Sequence, residues 1–141
     1  FLQTPFSEAM GRFSPNGKWI AYVSDESGMQ QVYVQPFPPS GGKWQLSTKG
    51  GYTPRWRGDG KELFYMAPDR QLMSVNVNAA GATMEVGSPK ALFQTQVDSA
   101  VGTNRYDVSR DGQRFLVSLP PENTTSPPIT VITNWTAGIA R

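Results

Sequence analysis

The sequence predicts an all-β chain made of three copies of one four-stranded sheet, and three observations predict it. Turns built on Asn16-Gly17, Asp59-Gly60 and Asp111-Gly112 recur at intervals of 43 and 52 residues. Short segments that end at Thr4, Thr48 and Thr95 recur at 44 and 47 residues. Each turn is followed at once by an apolar run: "WIAYV", "ELFYM" or "RFLV". Asn or Asp before Gly is a tight-turn signal, because Gly takes positive φ and the side chain before it bonds its own backbone. A period of roughly 45 residues is that of a four-stranded propeller blade. The expected architecture is therefore a β-propeller segment of three blade units, approximately 1–43, 44–90 and 91–141, in one domain spanning 1–141.

Each unit parses in the same order. The first strand is Phe1–Thr4, Leu46–Thr48 or Leu92–Thr95. The second precedes the turn: Gly11–Phe13, Pro54–Trp56, Arg105–Val108. The third follows it: Trp19–Val23, Glu62–Met66, Arg114–Val117. The fourth is rich in β-branched and aromatic residues: Gln31–Gln35, Leu72–Val77, Ile129–Asn134. The third strands are apolar on both faces, where a strand covered on one side would alternate. Such runs imply sheets sandwiched between sheets. "SDESGMQ", "PFPPSGGK" and "NAAGATMEVGSPK" read as connectors, since all carry strand-ending residues. No segment carries a helical stripe.

Composition excludes several function classes. The net charge is +2 with no Lys/Arg block, so the footprint of a nucleic-acid binder is missing. No apolar run approaches membrane-spanning length. The first residue is Phe1 rather than Met, which reads as a processed or truncated chain. There is no Cys and no His. Thiolate chemistry, the commonest general base and the commonest transition-metal ligand are thereby removed. No catalytic residue, cofactor or metal site is expected.

An Arg-aromatic pair marks the second strand of every unit: Arg12-Phe13, Arg55-Trp56 and Arg105-Tyr106. That strand is the innermost in a propeller. Arg12, Arg55, Trp56 and Arg105 are thus candidates for a channel-mouth site that captures a carboxylate or phosphate. The plainer reading is packing and salt bridging between blades, with Asp107 as one partner. The third pair is also offset by two positions. Asn16, Asp59 and Asp111 read as turn residues rather than cation ligands, whose loops need several oxygens within a dozen residues. Trp19, Trp44, Trp56, Trp135, Tyr22, Tyr33 and Tyr65 read as packing between blades, with Trp44 and Tyr52 the most exposed aromatics. Glu8, Glu26 and Glu122 are scattered carboxylates; a glycosidase needs two held at a defined separation, which is a matter of the fold and not of the sequence.

"FSPNGKWIAYVSDESG" followed by "QVYVQPF" resembles the TolB-type, WD-repeat-like β-propeller repeat. That family's signature is an aromatic-Ser-Pro-Asp-Gly turn before an apolar strand. Asn16 stands here where the family usually has Asp; Asp59 and Asp111 keep it. "DGKELFY" and "ITVITNWTAG" also resemble the C-terminal propeller of bacterial Ser/Thr protein kinases and related extracytoplasmic sensors. The resemblance implies a propeller fold and an extracytoplasmic or periplasmic location. The kinase catalytic signatures themselves are missing from the sequence.

In such propellers the first strand of a unit completes the preceding blade. Leu46–Thr48 would complete the first blade and Leu92–Thr95 the second. Phe1–Thr4 is then left over, and the third blade lacks its outer strand. The expected partner is therefore a second copy, with Phe1–Thr4 exchanged to close a ring of about six blades. The function expected is a non-catalytic module for protein binding, sensing or scaffolding. Two alternatives stand beside it: a hydrolase or lyase with a carboxylate-based site in the channel, and a structural self-assembling subunit.

Overall fold

The computed structural model describes residues 4–80, 83–97, 105–119 and 129–133; in the last segment the side chain of Val131 alone is described. These residues form twelve strands and no helix. The first sheet runs β1 (Glu8–Phe13), β2 (Trp19–Ser24), β3 (Gln31–Pro36) and β4 (Trp44–Gln45), side by side in chain order. The second runs β5 (Tyr52–Trp56), β6 (Glu62–Met66) and β7 (Gln71–Ala80). Along β7, β9 (Lys90–Gln94) pairs with the first half and β8 (Thr83–Val86) with the second. The third runs β10 (Tyr106–Val108), β11 (Arg114–Ser118) and β12 (Ile129–Thr133). Every pairing is antiparallel.

The sheets stack because alternate residues of the middle one face opposite neighbours. Leu63 and Tyr65 of β6 join Trp19, Ala21 and Val23 of β2 in one buried cluster. Phe64 and Met66, which point the other way, join Phe115 and Val117 of β11 in another. The Phe64 and Phe115 rings meet edge to face with centroids 5.1 Å apart. Burying each such side chain fully is worth about 1.5–3 kcal/mol.

The three turns share one geometry. Gly17, Gly60 and Gly112 have φ of 70°, 73° and 74°. Each donates its N–H three residues back, to the carbonyls of Ser14, Arg57 and Ser109. Asn16, Asp59 and Asp111 each accept from the backbone N–H two residues on, at 3.0 Å. The Ser14 and Ser109 hydroxyls also accept from the N–H of Trp19 and Arg114. Arg57 stands in the serine's place in the second turn, clamping Asp59 through Nε and Nη2 at 2.8 Å each.

Several expectations need correction. The first sheet is closed by Trp44–Gln45 rather than by Leu46–Thr48, although the Leu46 N–H extends the ladder to the Val32 carbonyl at 2.8 Å. The stretch read as the connector "NAAGATMEVGSPK" contains the end of β7 and all of β8. Ala and Asn have weak strand propensity, but Val77 and Met84 are buried in the first cluster and hold the extension down. The third apolar run, expected to be covered on both faces in an assembled ring, is covered on one face within a single chain. Phe115 and Val117 are buried, whereas Leu116 is 48% exposed and Val131 opposite it 56%. The expected strand Phe1–Thr4 lies outside the described residues except for Thr4, which is in no strand.

Candidate functional site

The innermost strands β1, β5 and β10 bring together residues far apart in sequence. Arg12, Arg55 and Arg105 line one cavity of about 340 Å³, with Tyr106, Asp107 and Ser118. Two of the arginines are aimed by the same device. The β1–β2 register slips between Ala9 and Arg12, and the β5–β6 register slips between Tyr52 and Arg55. Within each slip a non-glycine residue takes left-handed backbone, Met10 at φ 58° and Thr53 at φ 54°. Such a bulge re-aims the side chains that follow it.

Register also defines which residues are equivalent. Arg12 stands opposite Ala21, Arg55 opposite Phe64 and Asp107 opposite Leu116, each at the third residue of the neighbouring strand. The slot that holds Arg in the first two sheets therefore holds Asp107 in the third. Arg105 reaches the same cavity from two residues earlier, just outside β10, where its carbonyl accepts from the Ser118 N–H at 2.8 Å.

Arg55 is the most fixed member, with its side chain 11% exposed. Its Nε donates to Asp107 Oδ1 at 3.2 Å and its Nη1 to the Pro54 carbonyl at 3.0 Å. Its guanidinium lies over the Tyr106 ring, 5.7 Å from the centroid. The Tyr106 hydroxyl in turn donates to the Thr53 carbonyl at 2.7 Å, tying the third sheet to the bulge of the second. Burial pushes the Tyr106 phenol well above the ordinary range. Arg105 Nε is shielded from solvent and has no hydrogen-bond partner among the described residues. Asp107 is the one carboxylate among the lining residues.

Trp56 parts company with the arginines. Its indole N–H donates to the Arg12 carbonyl at 3.0 Å. Its ring lines a second cavity of about 400 Å³ on the turn side, beside Trp19, Asp59, Lys61 and Arg110. There the Arg57 clamp holds the Asp59 carboxyl down to about 2. A third cavity of about 440 Å³ includes Tyr65, Asp69 and Lys49. Burial, assisted by the Asp69 charge, pushes the Tyr65 phenol up to about 12.

Neither Trp44 nor Tyr52 is exposed: both are half-buried, and Trp44 meets Trp19 edge to face at 5.6 Å. Glu26 pairs with Lys43 at 2.5 Å. Glu122 and Trp135 lie outside the described residues. Among the described residues no three His, Cys, Asp or Glu side chains are grouped to hold a metal ion.

Radially stacked antiparallel sheets, with their first strands gathered on one side, settle the architecture. This chain has the fold of a β-propeller segment. Solved propellers superpose on it. A protein assigned as TolB from Agrobacterium tumefaciens matches with a TM-score of 0.56 and 15% identity, over 93% of this chain and 46% of that one. Oligogalacturonate lyase from Vibrio parahaemolyticus matches with a TM-score of 0.55 and 12% identity, over 87% of this chain and 34% of that one. An oligogalacturonate lyase in complex with manganese matches at 0.53 and 18%, over 74% of this chain and 26% of that one. The chain thus spans less than half the length of each of these structures. No protein-family model matches it, and no curated protein does.

Proposed function

We propose that the chain is a non-catalytic propeller module that binds a protein partner on its axis-facing side and associates with a second copy of itself. The binding part rests on one observation: arginines from three successive sheets line a single cavity on the innermost strands. Rigid sheets that present side chains at one mouth suit recognition. The cavity suits hydrolysis poorly, because a carboxylate-based mechanism uses two carboxyl groups at defined separation. Asp107 is the one carboxylate among the described lining residues and already accepts from Arg55. Likeness to a lyase at 12–18% identity bears on fold and not on chemistry.

The test is to pan a displayed random-peptide library against the chain and map selected peptides by amide protection. Protection on β1, β5 and β10 supports the reading. Peptides that map to the turn-side cavity or the outer strands, or no selectable peptide at all, overturn it.

Self-association rests on the apolar strips at the two ends of the stack. Leu116 and Val131 are exposed on the last sheet. Phe13 and Phe37, in edge-to-face contact at 4.8 Å, are exposed on the first. A second copy that sets one strip on the other would repeat the stacking already seen within the chain, and two such contacts close a ring. Exchange of Phe1–Thr4 would add a strand to the third sheet. An extracytoplasmic role, as an accessory segment of the kind carried by sensor kinases, is consistent with the repeat motif. Sedimentation equilibrium at micromolar concentration checks the association. The expected mass is twice 15.5 kDa, falling to the single-chain value in Leu116→Asp. A wild-type chain that stays single contradicts it.

A further inference from the structure

We infer that Arg12, Arg55 and Arg105 form a receptor for an oxyanion group, a carboxylate or a phosphate, on the ligand that the axis-facing side binds. The inference rests on the proposed binding role of that side and specifies its chemistry.

Charge is the first argument. Among the described residues, three guanidiniums and one carboxylate line the cavity, so this lining favours an anion. Arg stays charged at any working pH and presents a planar fork that matches two oxygens at once. The Arg55 side chain is largely shielded from water, which strengthens its contacts relative to a free surface.

Preorganisation is the second. Arg55 is held from behind by the Pro54 carbonyl and the Tyr106 ring, and Tyr106 is held by the Thr53 carbonyl. The side chain therefore has little freedom left to lose when an anion arrives. Arg105 Nε is a shielded donor with no partner among the described residues. Shielded donors are costly to leave unmet, so the Arg105 side chain gains by turning this donor toward an arriving oxygen.

The third argument is that the site already holds a carboxylate. Asp107 occupies the slot that Arg12 and Arg55 occupy in the other sheets. It meets Arg55 Nε through one oxygen at 3.2 Å, and the same oxygen accepts from the Val108 N–H at 2.9 Å. Its side chain is 69% exposed. A single-point, exposed pair is weak, whereas a ligand gripping a guanidinium through two oxygens is held more firmly. Asp107 thus acts as an internal competitor that a ligand displaces. The volume of about 340 Å³ is at the small end of small-molecule sites, roughly 300–1,000 Å³, and admits a group of the size of citrate.

Titration of the whole chain with citrate and, separately, with inorganic phosphate tests this, with sucrose as a neutral probe and amide NMR shifts as the readout. The expected result is saturable shifts at Arg55, Tyr106 and Asp107, weakening as salt is added. Arg105→Gln weakens binding about tenfold. Lys90→Gln, which removes an exposed charge elsewhere, leaves it unchanged. Asp107→Asn tightens it, a gain that misfolding cannot imitate. Citrate binding alone assigns a carboxylate, and phosphate binding alone assigns a phosphate. Equal anion binding by Arg105→Gln and Lys90→Gln marks an adventitious ion only and overturns the proposal. Library peptides that protect β1, β5 and β10 while neither anion binds would leave the binding reading standing and remove the oxyanion.

Discussion

The second and third sheets begin from the same turn and the same kind of apolar strand, yet their middle strands end in different surroundings. β6 is buried along its whole length, with Leu63 and Tyr65 against the first sheet and Phe64 and Met66 against the third. β11 alternates, its Phe115 and Val117 buried and its Leu116 exposed. The strand composition is nearly the same in both. Among the described residues β6 has a sheet on each side and β11 has one, and that accounts for the exposure of Leu116.

That contrast sets the order of mutational effects. Phe64→Ala should cost about 3–5 kcal/mol in denaturant melts, because the ring is fully buried between two sheets. Leu116→Ala, at the matching place on the open face, should cost under about 0.5 kcal/mol in a single chain. Equal losses would break the comparison.

Gly58→Ala should come next, at about 1–3 kcal/mol. A Cβ there would lie 2.6 Å from the Arg110 carbonyl, at the point where the Gly58 N–H donates to that same oxygen at 2.8 Å. The clash falls on the joint between the second and third sheets. Tyr106→Phe should cost about 1–3 kcal/mol, since the buried Thr53 carbonyl loses the hydroxyl it accepts from.

A smaller effect than the loss of Phe64, Gly58 or the Tyr106 hydroxyl concerns acid. The Arg57 clamp lowers the folded Asp59 pKa from the ordinary 3.8 to about 2. The stabilisation is complete above the unfolded value and is lost as pH falls through the folded one. Stability should therefore drop between about pH 4 and pH 2, and Asp59→Asn should flatten that part of the pH profile. Asp59 is 46% exposed, so the drop should stay within about 1 kcal/mol. A profile unchanged by Asp59→Asn would show the clamp to be energetically idle.

Much of this architecture could be read from the residues. The Asn/Asp-Gly turns required positive φ, and Gly17, Gly60 and Gly112 have it. Of the Arg-aromatic pairs, Arg12, Arg55 and Arg105 line one cavity, whereas Trp56 lines another. The equivalence of Asp107 with Arg12 and Arg55 was missed because the pairs were matched by residue type. The turn spacing held the answer: 43 residues separate Arg12 from Arg55 and 52 separate Arg55 from Asp107, the same intervals as between the turns. The bulges at Met10 and Thr53 left no such trace, since neither residue type favours left-handed backbone. β8 was hidden in a stretch of Ala, Asn and Gly whose pairing comes from burial of Val77 and Met84 rather than from propensity.

Residue-resolved amide exchange on a dilute, single-chain sample tests the stacking most directly. The amides of Leu63 to Met66 should open only with global unfolding, while those of Phe115 to Val117 open at lower free energy, because a sheet with one neighbour can detach before a sheet with two. Equal opening free energies in the two strands, or slower exchange in β11, would contradict the placement of the second sheet between the others.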